Sequence, residues 1–207
     1  IEQLGLPAQS LPVTEHLLAD KIEHCIKRDQ AVDEQKYEEL GSKLKVPALA
    51  MNTGEIYNLS IRKGTLTDEE RFTINEHILE TILMLGQIPF TEDLKRVPEY
   101  AAGHHERMDG KGYPRGLTKA EMSVPSRLMA IADIFEALSA SDRPYKQAKP
   151  VSECLSIMSN MVRNNHIDPD LFTIFVTSKV YEPYLKKFGR KEQLDEYDIQ
   201  DILNFSG

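Results

Sequence analysis

Little in this chain of 207 residues points to an oxidising, membrane-spanning or nucleic-acid-binding setting. Its two cysteines, Cys25 and Cys154, lie far apart and form no framework. That excludes a disulfide-stapled fold and makes a reducing cytoplasm the default setting. Positive charge is in deficit, with 25 Lys and Arg against 33 Asp and Glu, a formal net charge of -8. General attraction to a nucleic acid polymer or an acidic membrane is therefore not expected. Any phosphate ligand must be held by a metal or by local cations. No apolar run reaches the ~20 residues of a membrane-spanning helix, and no signal peptide is visible. Strand-like alternation and internal repeats are also missing. The expected fold class is all-α, built as one domain with at most a small appendage.

Helical periodicity appears along most of the chain. Thr14 is placed to cap a helix over 15–29, with Leu17, Leu18, Ile22 and Ile26 on one face. A more polar helix is expected over 34–44. Thr67-Asp68-Glu69-Glu70 reads as a capping box opening a long helix over 68–85, with Phe72, Ile74, Ile78, Ile82 and Leu85 near helical period. His77 is expected on its inward side. A further helix over 91–104, with a possible break at Pro98, delivers His104 and His105 at its end. Residues 106–122 are too glycine-rich and irregular for helix or strand. Pro125 starts a helix whose run 128–135 is apolar nearly all round, so burial is expected, Asp133 included. Helices over 151–163 and, after the Asp168-Pro169 cap, 169–187 follow. The organisation expected is an N-terminal segment (1–57), a core (58–187) and a polar tail (188–207).

The chemistry concentrates between 77 and 146. His104 and His105, adjacent at a helix end, can turn two imidazoles into one concave site, and such pairs suit a divalent transition metal. A carboxylate inside an apolar helix, Asp133, is costly unless paired or metal-bound. Three histidines and an acid drawn from three helices are how helical bundles build metal sites. Each residue also has a plainer reading. The histidine pair reads as solvated, His77 as a boundary histidine, and Asp133 as a partner of Arg127. The loop Asp109-Gly110-Lys111-Gly112-Tyr113-Pro114 can offer backbone amides and a lysine to phosphate. Arg143 and Lys146 add cations that suit phosphate oxygens, or are a solvated surface pair. His16, His24 and His166 read as surface or boundary residues, with Asp20 and His24 a weaker pair at i, i+4.

The strings HHERMDGKGYP at 104–114, IADIFEAL at 131–138, DRPYK at 142–146 and GTLTDEER at 64–71, with His77 behind them, resemble the HD-GYP family of metal-dependent HD phosphohydrolases. The resemblance covers about residues 58–177. It implies an HD-type helical bundle with an iron- or manganese-type centre that hydrolyses cyclic di-GMP through a metal-activated water. Carried over by position, it implies His77, His104, His105 and Asp133 as metal ligands. Arg143, Lys146 and Lys111 become substrate contacts, and the loop of Asp109, Gly110, Gly112, Tyr113 and Pro114 becomes a signature that meets GGDEF-type partners. Tyr113 is expected to be exposed there.

One family element is absent: the name-giving His-Asp dyad with its following Gly-Lys. Either Met51-Asn52-Thr53-Gly54-Glu55 stands in its place, degenerate, or the dyad lies upstream of Ile1, as the missing initiator Met favours. The enzyme reading needs that dyad to complete the site. The competing reading is a non-catalytic module binding cyclic di-GMP or a GGDEF partner. An HD-type hydrolase for another nucleotide is a third.

Overall fold

A computed structural model describes residues 16, 18–140 and 148–205. Two short strands, β1 (Cys25–Lys27) and β2 (Leu49–Asn52), pair antiparallel, with Cys25 opposite Asn52 and Ile26 opposite Met51. Around them the described residues form helices α1 (Gln30–Glu39), α2 (Glu55–Leu59), α3 (Asp68–Gly86), α4 (Val97–Ala102) and α5 (Val124–Ser139). Then come α6 (Val151–Arg163), α7 (Pro169–Thr177), α8 (Tyr181–Phe188) and α9 (Ile199–Leu203). The all-α class holds, since the ribbon is small beside the helices. None of these helices is long and apolar enough to cross a membrane.

Local chemistry explains most boundaries. The capping box forms as expected: the Glu70 amide donates to Thr67 Oγ1 at 3.2 Å, and the Thr67 amide donates to the Glu70 carboxylate at 2.9 Å. α1 stops where Gly41 takes φ 71°, a left-handed turn that costs glycine nothing. Asp168 accepts the Asp170 amide at 2.9 Å and the Leu171 amide at 3.3 Å, and Pro169 opens α7.

Several expectations fail. Thr14 and Leu17 of the helix expected over 15–29 lie outside the described residues, and its described part holds instead a 3-10 turn at Ile22–His24 and β1, with Ile22 exposed. Asp20 is used instead as a cap, accepting the Ile56 and Tyr57 amides that open α2. The strands escaped notice because three and four residues are too few to display alternation. The helix over 169–187 splits at Lys179, which takes φ 49°. Pro183, lacking an amide, then falls in the first turn of α8, where none is needed. The polar stretch after 188 also adds to the core in its described residues. Gln193 and Ile202 are buried, and the Ser159 hydroxyl donates to the Ile202 carbonyl at 2.7 Å.

Two apolar clusters result. The larger gathers Ile131 and Phe135 of α5, Leu155 and Met158 of α6, Phe172 and Val176 of α7, and Leu185 of α8. The smaller holds Tyr37, Val46, Phe72, Ile78 and Leu79, joining α1 to α3. Beside it Arg28 stacks over Phe72 and pairs with Asp33 at 2.9 Å and Glu76 at 3.1 Å, while the Tyr37 hydroxyl also donates to Glu76. That network ties the end of β1 to both helices. Ile74, expected in this core, lies on the exposed side of α3.

Asp168 links α5 to α7. Its carboxylate is 1% exposed and pairs with Arg127, and with Lys119 at 3.3 Å. Burial pushes this carboxyl up, but the Leu171 amide and Arg127 outweigh it and hold it below the usual range. Asp168→Ala is expected to cost about 3–5 kcal/mol, because Arg127 stays buried without its counter-charge; urea unfolding at neutral pH checks this. Being depressed, the carboxyl contributes stability above its unfolded pKa of ~3.9 and loses it as pH falls through the lower folded value.

Candidate metal centre

His77 stands midway along α3, while His104 and His105 follow the end of α4. Gly103 makes that junction possible. A Cβ there would lie 2.8 Å from Ser126 Oγ on α5, so only glycine lets the end of α4 settle onto α5. The Ser126 hydroxyl secures the contact by donating to the Glu99 carbonyl at 3.3 Å.

The three histidines converge. One ligand nitrogen from each lies within 4.8 Å of the others, and among the described residues this is the group of three or more able to hold a metal ion. The Nε2 atoms of His77 and His105 are 3.1 Å apart. His77 Nδ1 meets the Ile74 carbonyl at 2.5 Å, and His104 Nδ1 meets the Ala101 carbonyl at 2.6 Å. A carbonyl only accepts, so both Nδ1 atoms carry the proton and both Nε2 atoms keep a lone pair. This is the orientation that a metal-ligating histidine needs.

The electrostatics agree. Burial, then the neighbouring His104 and His77, push His105 down to about 4, against the pull of Asp133. A neutral imidazole is the form that ligates. Asp133 is an exposed residue of α5, not a buried one as expected, and its flank shows Leu128 and Met129 to solvent. The helix buries Ala130, Ile131 and Phe135 on its other face. The run 128–135 is apolar all round, so composition alone could not tell its two faces apart. Arg127 pairs with Asp168, so the plainer alternative for Asp133, a pair with Arg127, is not formed. Asp133 stands outside the three-histidine group, yet its charge is felt by His105 and by Tyr113. His77, too, is exposed on α3 rather than turned inward.

The loop over 103–122 is drawn inward. The Tyr113 ring stacks on His105 with centroids 4.7 Å apart and planes 20° apart, and its amide donates to the His105 carbonyl at 3.2 Å. Tyr113 is half-buried and packs against the smaller core cluster, not free at the surface. Burial, then the charge of Asp133, push its hydroxyl up. Of the loop amides expected to face phosphate, those of Asp109, Gly110, Lys111 and Tyr113 already have acceptors, as do the three that follow Pro114. Lys111 donates to Asp109 at 3.0 Å, and Arg115, Gly116 and Leu117 donate to Glu106 at 2.7, 3.1 and 2.8 Å. Gly110, at φ 74°, donates to the Arg107 carbonyl at 3.0 Å. Asp109 is held well below the carboxylate range, chiefly by the Arg107 guanidinium. Pro114 is buried, and its carbonyl accepts from Lys43 at 2.7 Å. Lys111 is exposed, 4.0 Å from Asp109.

Arg143 and Lys146 lie outside the described residues, as does the rest of the DRPYK string. His24 lies 3.9 Å from Glu55, and the Asp20 carboxylate caps α2 rather than facing a metal with it. The segment Met51–Glu55 runs through β2 into α2, with Asn52 Oδ1 accepting the Gly54 amide at 3.0 Å. Sequence reasoning overlooked Glu106, a buried carboxylate 1% exposed. Its signal was there: an acid directly after the histidine pair, heading a glycine-rich stretch whose amides need acceptors.

The HD domain family matches residues 12–171. The chain is 38% identical over 115 residues to a 3'3'-cGAMP-specific phosphodiesterase of Vibrio cholerae, covering 56% of this chain and 26% of that protein. It is 36% identical over 115 residues to a cyclic di-GMP phosphodiesterase of Pseudomonas aeruginosa, covering 56% of this chain and 27% of the relative. It is 50% identical over 85 residues to a second Vibrio cholerae 3'3'-cGAMP-specific phosphodiesterase, covering 41% and 16%. The chain thus spans about a quarter or less of the length of these curated relatives.

In the metal-free protein His105 is expected to titrate at about 4, read from its ring resonances by NMR. The unfolded chain binds this proton near ~6.5 and the folded chain does not, so stability falls as pH drops from ~6.5 towards 4. Urea midpoints across that window check the sign. A His105 resonance that titrates like a free histidine would contradict it.

Proposed function

The chain belongs to the HD domain family, in its HD-GYP branch, and on that premise we propose that it is the metal-holding part of a cyclic di-GMP phosphodiesterase. One observation carries the reading: three imidazole nitrogens from α3 and the end of α4 converge, two of them with the lone pair already fixed on Nε2. That donor set fits a divalent transition ion, with iron or manganese proposed. Such an ion supplies Lewis acidity towards a phosphodiester and acidifies water.

The chain's own residues have distinct parts in this reading. His77, His104 and His105 hold the ion, and Asp133 is the fourth ligand, approaching from the exposed side of α5. Tyr113 covers one face of His105 and keeps water from that side of the ring. Lys111, with Arg143 and Lys146, provides the positive charge that a phosphate needs on a chain of net charge -8. A GGDEF-type partner approaching the loop would meet exposed Lys111 rather than Tyr113. Cys25 and Cys154 are both thiols, which accords with a cytoplasmic setting. No His-Asp pair occurs in the 207 residues, so one bound metal per chain is expected, with turnover requiring a dyad that these residues do not supply. Cyclic di-GMP and 3'3'-cGAMP are the two substrates that the relatives' names support.

The test is metal content after anaerobic loading with iron or manganese, together with turnover of both cyclic dinucleotides. His104→Ala is expected to lower bound metal at least about tenfold, as loss of a direct ligand exceeds the usual effect of a supporting residue. Unchanged metal in that variant by elemental analysis would sink the assignment.

A further inference from the structure

Glu106 is a buried carboxylate that meets no cation among the described residues. Its charge is satisfied by backbone alone. Oε1 accepts the Arg115 and Gly116 amides, and Oε2 accepts the Leu117 amide. The loop is pressed onto the same residue from the other direction. A Cβ on Gly112 would lie 2.4 Å from Glu106 Cα and 2.4 Å from the Arg107 nitrogen, so no side chain fits there. Tyr113 is the next residue, and it stacks on His105, the residue just before Glu106. Chain and hydrogen bonds thus close a ring: His105, Glu106, the amides of 115–117, and back through Tyr113 to the His105 imidazole.

We propose that Glu106 is a positioning residue for the metal centre, setting the Tyr113 ring against His105 and so fixing the plane of that imidazole. The inference rests on the metal reading above and adds to it. His77 and His104 have their rings held by carbonyls through Nδ1. No such bond from His105 Nδ1 is formed among the described residues; its ring lies tilted against that of His104, with centroids 4.1 Å apart, meets His77 through Nε2, and is stacked flat only on Tyr113. The orienting task that a second-sphere hydrogen bond performs for the other two falls, for His105, to Tyr113 and the carboxylate behind it. The loop also has anchors of its own, Lys43 to the Pro114 carbonyl and the Arg115 side chain to the Leu40 carbonyl at 3.1 Å. They hold the backbone near α1 without reaching the Tyr113 ring.

The experiment uses Co2+ as the probe, read by its visible absorption, with His105 ring resonances followed in the metal-free protein. Glu106→Gln is nearly isosteric but turns an NH2 group towards an amide, so one loop N–H loses its acceptor. Glu106→Gln and Tyr113→Ala are each expected to weaken Co2+ binding about tenfold, the usual effect of losing an orienting residue, and to shift the Co2+ spectrum. The double variant is expected to be no weaker than Glu106→Gln alone, because both act on one ring. Tyr113→Phe, which keeps the ring, is expected to restore binding. Wild-type Co2+ affinity and unmoved His105 resonances in Glu106→Gln, with only a lower melting temperature, would overturn the proposal. Should Glu106→Gln not fold, Tyr113→Ala decides in the same way. If the wild type binds no Co2+, the metal reading fails by itself. The metal-free His105 resonances of the variants then still show whether Glu106 and Tyr113 set that ring.

Discussion

A negative charge taken out of water has to be satisfied, and around Glu106 the backbone does all of the satisfying. Three consecutive amides turn inward to one carboxylate. For that to happen the chain must bend back sharply, which Gly116 permits at φ 65°, and must cross its own path closely, which Gly112 permits. Gly112 and Gly116 are therefore demanded by an acid several residues earlier. Once the loop is closed, Tyr113 has little choice of place. It lies between His105 and the cluster of Tyr37, Phe72 and Ile78, and so joins the histidine group to the smaller core.

The candidate centre stands where the two halves of the described structure meet. α3 brings His77 from the side of the smaller cluster, while Asp133 on α5, outside the histidine group, adds its charge to His105. Gly103 and Ser126 lock the end of α4 between them. The partly buried pairings Arg28–Glu76 and Arg127–Asp168 engage α3 and α5 respectively. Both are structural, yet each fixes the helix from which a site residue projects. By contrast, the outward faces of α3 and α5 carry Ile74, Leu128 and Met129 with about half of their surface open.

Where the fold was legible, a local rule decided it. Thr67 and Glu70 announced α3, Asp168 and Pro169 announced α7, and both helices begin there. Where it was not, tertiary demand overrode pattern. The apolar residues near 22 and 26 have helical spacing, but Asp20 was needed as the cap of α2 and Cys25–Lys27 as the partner of β2. Pro183 was a readable signal for the break between α7 and α8, since a proline tolerates only a first turn. In the site, the three histidines were legible because their side chains have few other uses at such spacing. The exposure of Asp133 was not, since an acid in an apolar run looks the same whether it faces a core or a cleft. Nor was the inward turn of Tyr113, which depends on Glu106 and on contacts from Lys43 and Arg115 far away in sequence.

The bonds from His77 to the Ile74 carbonyl and from His104 to the Ala101 carbonyl each span three residues, so both acceptors belong to the helical winding itself. Neither depends on which side chain occupies position 74 or 101. Both depend on the pitch of the backbone there. The readiness of these nitrogens is thus a mechanical property: a torque that frays the end of α4 withdraws the acceptor and frees the imidazole to turn. Evolution can alter the neighbouring side chains without disturbing the pair, whereas a twist applied from elsewhere along α3 reaches His77 and one applied along α4 reaches His104.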